Sequence, residues 1–369
     1  MSKVAETVLE IDLGALRHNY EYLKSTLHPG TKFVAVVKAF AYGHDATKIA
    51  PFLEKLGVDY FAVAYTSEGI ELREAGIQTP VLVLHPQSVH FDSLIDHSLE
   101  PCIYSDHIMS RFLEITNARG LRDYPIHLKF NTGLNRLGFG EDEAEKVFTV
   151  ISGKHSVKVA SIFSHLAAPE DPDEDRFTRS QINAFRRMTE MFENIAGYRP
   201  LLHQSNTSGI LCHPEAQFDM VRSGIGLYGY GNDETKNRHL RPIGTLKTVI
   251  SQIHRLEKGD SLGYNRAFIA EKPTLTATLP LGHADGIGRP YGNGKGYVRI
   301  NGKYAPIIGN VCMDMIMVDI TDIDCREGDE VVVYGKNPSA EEFAATAGTI
   351  SYELITAISR RVKRVYIGG

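Results

Sequence analysis

Phe33-Val34-Ala35-Val36-Val37-Lys38-Ala39-Phe40-Ala41-Tyr42-Gly43-His44 runs an unbroken apolar stretch into a lysine, then into a tyrosine, a glycine and a histidine. A helical pattern follows at once. Residues 33–37 read as a strand buried on both faces. A lysine ending such a strand is costly to bury as an ammonium and must be paired, neutral or covalently used. Desolvation lowers a lysine pKa, as a Schiff-base lysine requires. The ordinary alternative is a lysine that snorkels outward from the strand end. The rest of the chain decides between them.

Strand-like runs recur at 33–37, 60–64, 81–84, 101–104, 126–130, 159–163, 201–204 and 220–228. Amphipathic stretches such as 46–56, 67–75, 143–152 and 181–195 separate most of them. Strands alternating with helices build βαβ units and a parallel sheet. This predicts an α/β fold with an N-terminal (β/α)8 TIM-type barrel, an open doubly wound sheet being the alternative on pattern alone. After about Asn232 the texture changes. Runs at 245–253, 274–279, 298–300, 307–319 and 330–334 are strand-like, joined by turns such as Glu257-Lys258-Gly259-Asp260 and Asn301-Gly302-Lys303. Asn-Gly between apolar runs is a hairpin signal. These runs predict a C-terminal, mostly antiparallel β-domain with late helices at 339–347 and 351–360. An isolated strand-like run at 8–13 precedes the first helix. The expected division is 14–238 for the barrel and 239–369 for the β-domain, which also takes the segment 5–13 as a strand.

The 369 residues suffice for two cores, and 43% hydrophobic with 23% charged residues is ordinary for a globular protein. A net charge of -5 offers no basic footprint for nucleic acid. No apolar run reaches the roughly 20 residues of a membrane span, and the first residues lack the apolar core of a secretory signal. Cys102, Cys212, Cys312 and Cys325 show no metal-ligand spacing. They read as reduced thiols of a cytoplasmic protein with no metal site, Cys312 being a small core residue.

Barrel active sites lie at the carboxyl ends of the strands. Lys38 follows the first predicted strand, Arg136 the fifth, His165 the sixth, His203-Gln204-Ser205-Asn206-Thr207 the seventh and Arg222-Ser223-Gly224-Ile225-Gly226 the eighth. Taken singly, His165 reads as a satisfied core histidine and Arg222 as an interior ion-pair member. Five such segments on one rim are what a site requires.

The segment Val36-Val37-Lys38-Ala39-Phe40-Ala41-Tyr42-Gly43-His44 resembles the cofactor-lysine motif of alanine racemases, departing at Phe40, where that family often has Asn, and at Asp45, where it often has Gly. The other strand-end segments resemble the family's in the same order. So do Leu262-Gly263-Tyr264, Gly309-Asn310-Val311-Cys312-Met313-Asp314 and Ser351-Tyr352-Glu353. The resemblance covers nearly the whole chain. It implies a pyridoxal 5′-phosphate-dependent isomerase interconverting L- and D-alanine, the latter for peptidoglycan. Lys38 would hold the cofactor and serve as one base, and Tyr264 as the other on the opposite face. His165 would touch that tyrosine, and Arg222 would touch His165 and the cofactor's pyridine nitrogen. Tyr42, Asn206, Thr207, Gly224, Ile225 and Tyr352 would complete the cofactor site, Thr207 replacing the more usual Ser. Arg136 and the N–H of Met313 would take the substrate carboxylate. Lys129 is either an ordinary strand lysine or, as in several family members, a carbamylated one. Asn131 stands where Asp is common, Asn310 where Arg is common and His283 where Tyr is common. The resemblance also implies a head-to-tail homodimer with shared sites. A serine or broad-specificity racemase, a basic-amino-acid decarboxylase and a non-catalytic carrier of the same cofactor are the rivals.

Overall fold

The computed structural model describes residues 4–232 and 237–369. Residues 233–236, within the expected inter-domain join, and 1–3 lie outside the described residues. A first strand, β1 (Val8–Asp12), leads into a helix whose start is capped by the Asp12 side chain, which accepts from the Ala15 N–H at 3.0 Å. Eight strands then alternate with helices: β2 (Lys32–Val36), β3 (Tyr60–Val63), β4 (Val81–Val83), β5 (Glu100–Ile103), β6 (Tyr124–Lys129), β7 (Val157–Phe163), β8 (Leu201–His203) and β9 (Met220–Ser223). Each pairs in parallel with the next, and β2 closes on β9. The predicted barrel is therefore present, and its strands are buried apolar runs because helices cover them on the outside. The helix Asp175–Ala196 shows how. It buries Ile182, Phe185, Met188 and Phe192, spaced three or four residues apart on one face, and ends at left-handed Gly197.

A second, nine-stranded sheet has the order β11-β14-β17-β16-β15-β18-β10-β1-β19. Its members after β1 are β10 (Gly244–Val249), β11 (Gln252–Leu256), β14 (Thr274–Leu279), β15 (Tyr297–Ile300), β16 (Lys303–Ile308), β17 (Ile316–Asp319), β18 (Glu330–Tyr334) and β19 (Lys363–Ile367). A short hairpin, β12 (Ser261–Leu262) with β13 (Phe268–Ile269), stands apart. The sheet is antiparallel except where β1 runs parallel to β19. Asn301-Gly302 forms the tight hairpin between β15 and β16, with Ile300 opposite Lys303.

Three expected strands are shorter or broken. The run 220–228 is a strand only to Ser223, then a 3-10 turn, Ile225–Tyr228, because the chain turns at Gly224 and again at Gly229. The run 245–253 splits into β10 and β11. The run 307–319 breaks into β16 and β17 around a loop at 309–315, starting at Gly309 with φ +65°. Cys312 lies on that loop, half-buried with its thiol 3.6 Å from the Asn310 carbonyl, and is not a core residue. Among the described residues no helix is long and apolar enough to cross a membrane.

Candidate active site

A cavity of about 750 Å³ opens at the carboxyl ends of the barrel strands. Its lining includes Lys38, Tyr42, Lys129, Arg136, His165, Asn206, Thr207, Arg222, Gly224, Ile225 and Tyr352. Residues far apart in sequence thus meet, as strand-end placement requires. Tyr264 and Met313 do not line this cavity. They lie on the β-domain surface, 70% and 59% exposed.

Lys38 follows β2 and begins an unusual turn. Ala39, Phe40, Ala41 and Tyr42 all have φ between +51° and +56°. A left-handed conformation costs an L-residue about 1–2 kcal/mol, so other contacts must hold it. Gly43 N–H donates to the Ala39 carbonyl at 3.0 Å, and Asp45 N–H to the Phe40 carbonyl at 2.9 Å. Arg364 donates to the Gly43 carbonyl through Nε and Nη2 at 3.1 and 2.8 Å. Glu68, which sequence reasoning missed, accepts from the N–H groups of Ala39 and Ala64, both at 2.7 Å. Its signal was an acid at the start of the helix following β3. Backbone strain held this way places two side chains of the cavity lining at once, Lys38 and Tyr42.

Burial lowers the Lys38 pKa and the positive charge of Arg136 adds to it, while Glu68 opposes. Burial likewise lowers Lys129. Lys38, Lys129, Arg136 and Arg222 thus bring cationic groups to one cavity, and none forms an ion pair with a carboxylate among the described residues. That donor set suits an anionic ligand.

Arg222 is buried, and its partners are not the carboxylate that an interior ion pair would supply. Nη2 donates to the carbonyls of Ser164 and Gln204 at 2.7 and 3.1 Å and lies 3.2 Å from His165 Nδ1. Nη1 lies 2.7 Å from His203 Nδ1. Burial pushes its pKa down to about 9, so it stays cationic at neutral pH. A guanidinium only donates, so His165 Nδ1 accepts and its proton sits on Nε2. Burial first, then Arg222 and other nearby cations, keep His165 neutral.

Opposite this group, Tyr42 stacks on Tyr228 with ring centroids 4.6 Å apart and faces Tyr352 at 6.3 Å. A Cβ on Gly224 would stand 2.3 Å from the Tyr42 hydroxyl. Only glycine lets the end of β9 pass under that ring. The Thr207 hydroxyl lies 3.0 Å from that of Ser223. Burial raises the Tyr352 pKa to about 12, which keeps its hydroxyl protonated as a hydrogen-bond donor.

His44 packs beneath the turn, fully buried, its ring stacked on Tyr228 at 5.2 Å. Desolvation lowers its pKa to about 4. A histidine depressed from about 6.5 stabilises the fold fully above its unfolded pKa and loses that contribution as pH falls toward the folded value. The midpoint of denaturant unfolding should therefore drop between about pH 6.5 and 4. The drop should be shallower in His44→Phe. Equal slopes in the two proteins would contradict this assignment.

Tyr264 sits between residues of positive φ: Gly263 at +71°, Asn265 at +62° and Arg266 at +51°. Asn310 Nδ2 donates to the Tyr264 carbonyl at 3.0 Å. Met313 lies on the 309–315 loop, where its carbonyl accepts from Ala284 N–H at 3.0 Å. The loop is further tied down by Arg361, which bridges Asp314 at 2.7 Å and Asp285 at 2.6 Å. Tyr264 and Met313 thus stand exposed on a surface whose backbone is braced.

A family model for the alanine racemase N-terminal domain matches residues 11–232, and one for the C-terminal domain matches 243–366. The alanine racemase of Thermodesulfovibrio yellowstonii is 37% identical over 366 residues, covering 97% of each chain. Alanine racemase 1 of Clostridium acetobutylicum is 38% identical, covering 97% of this chain and 94% of its own. The chain belongs to the alanine racemase family. Among solved structures, the alanine racemase of Clostridium difficile superposes with a TM-score of 0.92 at 34% identity, covering 100% of this chain and 97% of that one. An alanine racemase from Bartonella henselae with covalently bound pyridoxal phosphate superposes at 0.90 with 29% identity, covering 99% of this chain and 100% of that one. As members of this family do, the protein acts as an amino-acid isomerase.

Phe40, Asp45, Asn131 and Asn310, four departures from the family pattern, make side-chain contacts of their own. Phe40 lies under the guanidinium groups of Arg360 and Arg364, at 4.3 and 5.5 Å. Asp45 has φ +73°, a conformation glycine adopts freely. Here Asp45 earns its place as a helix cap, its side chain accepting from Thr47 N–H at 3.0 Å. Asn131 Oδ1 accepts from the N–H groups of Gly133 and Asn135 at 3.1 and 2.9 Å, shaping the loop that carries Arg136. Asn310 holds the Tyr264 backbone. His283 is exposed, and its N–H donates to the Cys312 carbonyl at 3.0 Å beside Met313.

Proposed function

We propose that the cavity binds pyridoxal 5′-phosphate and that the protein interconverts L- and D-alanine by a two-base mechanism, supplying D-alanine for peptidoglycan in the cytoplasm. The observation that carries this reading is Lys38, held by a strained turn at a strand end, with its pKa lowered, in a cavity rich in cations. The residues present fit the cofactor. Gly224 leaves room under Tyr42, the hydroxyls of Tyr42, Thr207 and Tyr352 are donors for a phosphate, and Arg222 is the donor for a ring nitrogen. Asn206, Gly224 and Ile225 would complete the contacts. When bound, the cofactor supplies a conjugated system that takes up the electrons left on Cα when its proton is removed.

The chain's own groups do the rest. Lys38 Nζ would hold the cofactor and, as a free amine, would be able to take the Cα proton from one face. The Tyr264 phenol gives or takes a proton at the other face. His165, neutral and protonated on Nε2, orients that phenol, and Arg222 fixes His165 through Nδ1. An arginine at the ring nitrogen can only donate, so it would leave that nitrogen unprotonated. Arg136 and the Met313 N–H take the substrate carboxylate. Lys129 would relieve the crowding of cations around Arg136 if its buried amine took up carbon dioxide as a carbamate.

Because Tyr264 and Met313 lie outside the cavity on an exposed face, they would be supplied by the second subunit of a homodimer, giving two identical composite sites. The test of the function is direct: the purified protein, given pyridoxal 5′-phosphate and L-alanine, should form D-alanine until the two are equal. Borohydride reduction and peptide mapping should place a pyridoxyl group on Lys38. Faster racemisation of serine than of alanine would favour the rival reading, and an adduct on another lysine would overturn the assignment of Lys38.

A further inference from the structure

One side chain from each of five successive barrel strands forms a buried hydrogen-bonded row. Arg222 of β9 meets His203 Nδ1 at 2.7 Å, and His203 Nε2 of β8 meets the Ser161 hydroxyl of β7 at 2.8 Å. That hydroxyl meets His127 Nδ1 of β6 at 2.5 Å, and His127 Nε2 meets Glu100 Oε2 of β5 at 2.7 Å. His127, Ser161 and His203 are fully buried. Glu100 is the first residue of β5, at the end of the barrel away from the cavity, and Tyr60 also hydrogen-bonds to it.

The two ends impose one direction. Arg222 can only donate, so His203 Nδ1 accepts and its proton lies on Nε2. A carboxylate can only accept, so His127 donates to Glu100 from Nε2, and in the neutral imidazole its Nδ1 accepts. Ser161 therefore accepts from His203 and donates to His127. Without an acceptor at Glu100, only the Arg222 donor at the other end still opposes the reverse sense. His127 would donate from Nδ1 to Ser161, Ser161 would donate to His203 Nε2, and the His203 proton would move to Nδ1, facing the Arg222 donor.

We propose that Glu100 is a positioning residue for Arg222, acting through His127, Ser161 and His203 to exclude the reversed row. It thereby keeps Nη1 of the guanidinium on His203 and Nη2 on the Ser164 and Gln204 carbonyls, facing His165. The effect on turnover rests on the role proposed above for Arg222; the direction of the row does not. Buried polar rows of this kind fix orientation when every member is satisfied, and outer partners of ligating histidines act the same way at metal sites.

The test uses the full-length protein labelled with 15N-histidine, the His203 signals being assigned by their loss in His203→Asn. In the wild type His203 should be the Nε2–H tautomer. Glu100→Leu should bring a measurable share of the Nδ1–H tautomer and lower kcat about tenfold with KM changed far less. Glu100→Gln keeps an acceptor and should restore both the tautomer and most of the turnover. If Glu100→Leu does not fold, His127→Phe frees Ser161 in the same way while keeping a ring against Tyr60, and should show the same shift. His203 remaining wholly Nε2–H in these variants, or an unchanged kcat, overturns the proposal. A purely structural row would lower the unfolding temperature and leave the tautomer alone. If the tautomers behave as expected but the wild type makes no D-alanine, the racemase reading fails and the row stands.

Discussion

Tyr264→Phe will slow alanine racemisation by about three orders of magnitude while leaving the cofactor bound. The hydroxyl is the group that would move a proton on one face of Cα, and phenylalanine removes only that hydroxyl. Tyr264 is exposed and outside the cavity that holds Lys38. The substitution should therefore disturb neither the fold nor the cofactor contacts, and the protein's absorbance near the visible edge should be unchanged. The loss must also be asymmetric. In deuterated water one alanine enantiomer should still exchange its Cα hydrogen through Lys38, and the other should nearly stop. Equal slowing of both exchanges would argue that Tyr264 does not serve one face.

The barrel was legible because its strands are apolar throughout, an arrangement that parallel sheets covered on both sides demand. The cavity was legible for a related reason. Lys38, Arg136 and His165 are costly residues placed just beyond apolar runs, and a closed barrel brings the ends of those runs together. Chain reversals inside apolar runs were not legible. Nothing in the composition of 220–228 or 307–319 shows that the strand ends at Ser223 or that a loop intervenes from Gly309, because hydrophobicity persists through both turns. The left-handed turn at 39–42 was hidden too, since alanine, phenylalanine and tyrosine have no preference for positive φ. It exists because Arg364 and Glu68, distant in sequence, hold it. The row from Glu100 to Arg222 takes one ordinary residue from each of five strands, and only the register of the closed barrel aligns them.

The division of the site between two subunits is the central claim, and two inactive variants test it. Lys38→Ala removes the anchoring amine, and Tyr264→Phe removes the opposing phenol. Each alone should leave almost no turnover. Mixed in equal amounts, dissociated and allowed to reassociate, they should pair at random so that about half the dimers carry one chain of each kind. In a head-to-tail dimer such a pair has one site with both Lys38 and Tyr264 intact and one lacking both. Activity should then return to about a quarter of the wild-type level. If Lys38 and Tyr264 of a single site come from one chain, every site in the mixture remains damaged, and the absence of any recovered activity would contradict the account.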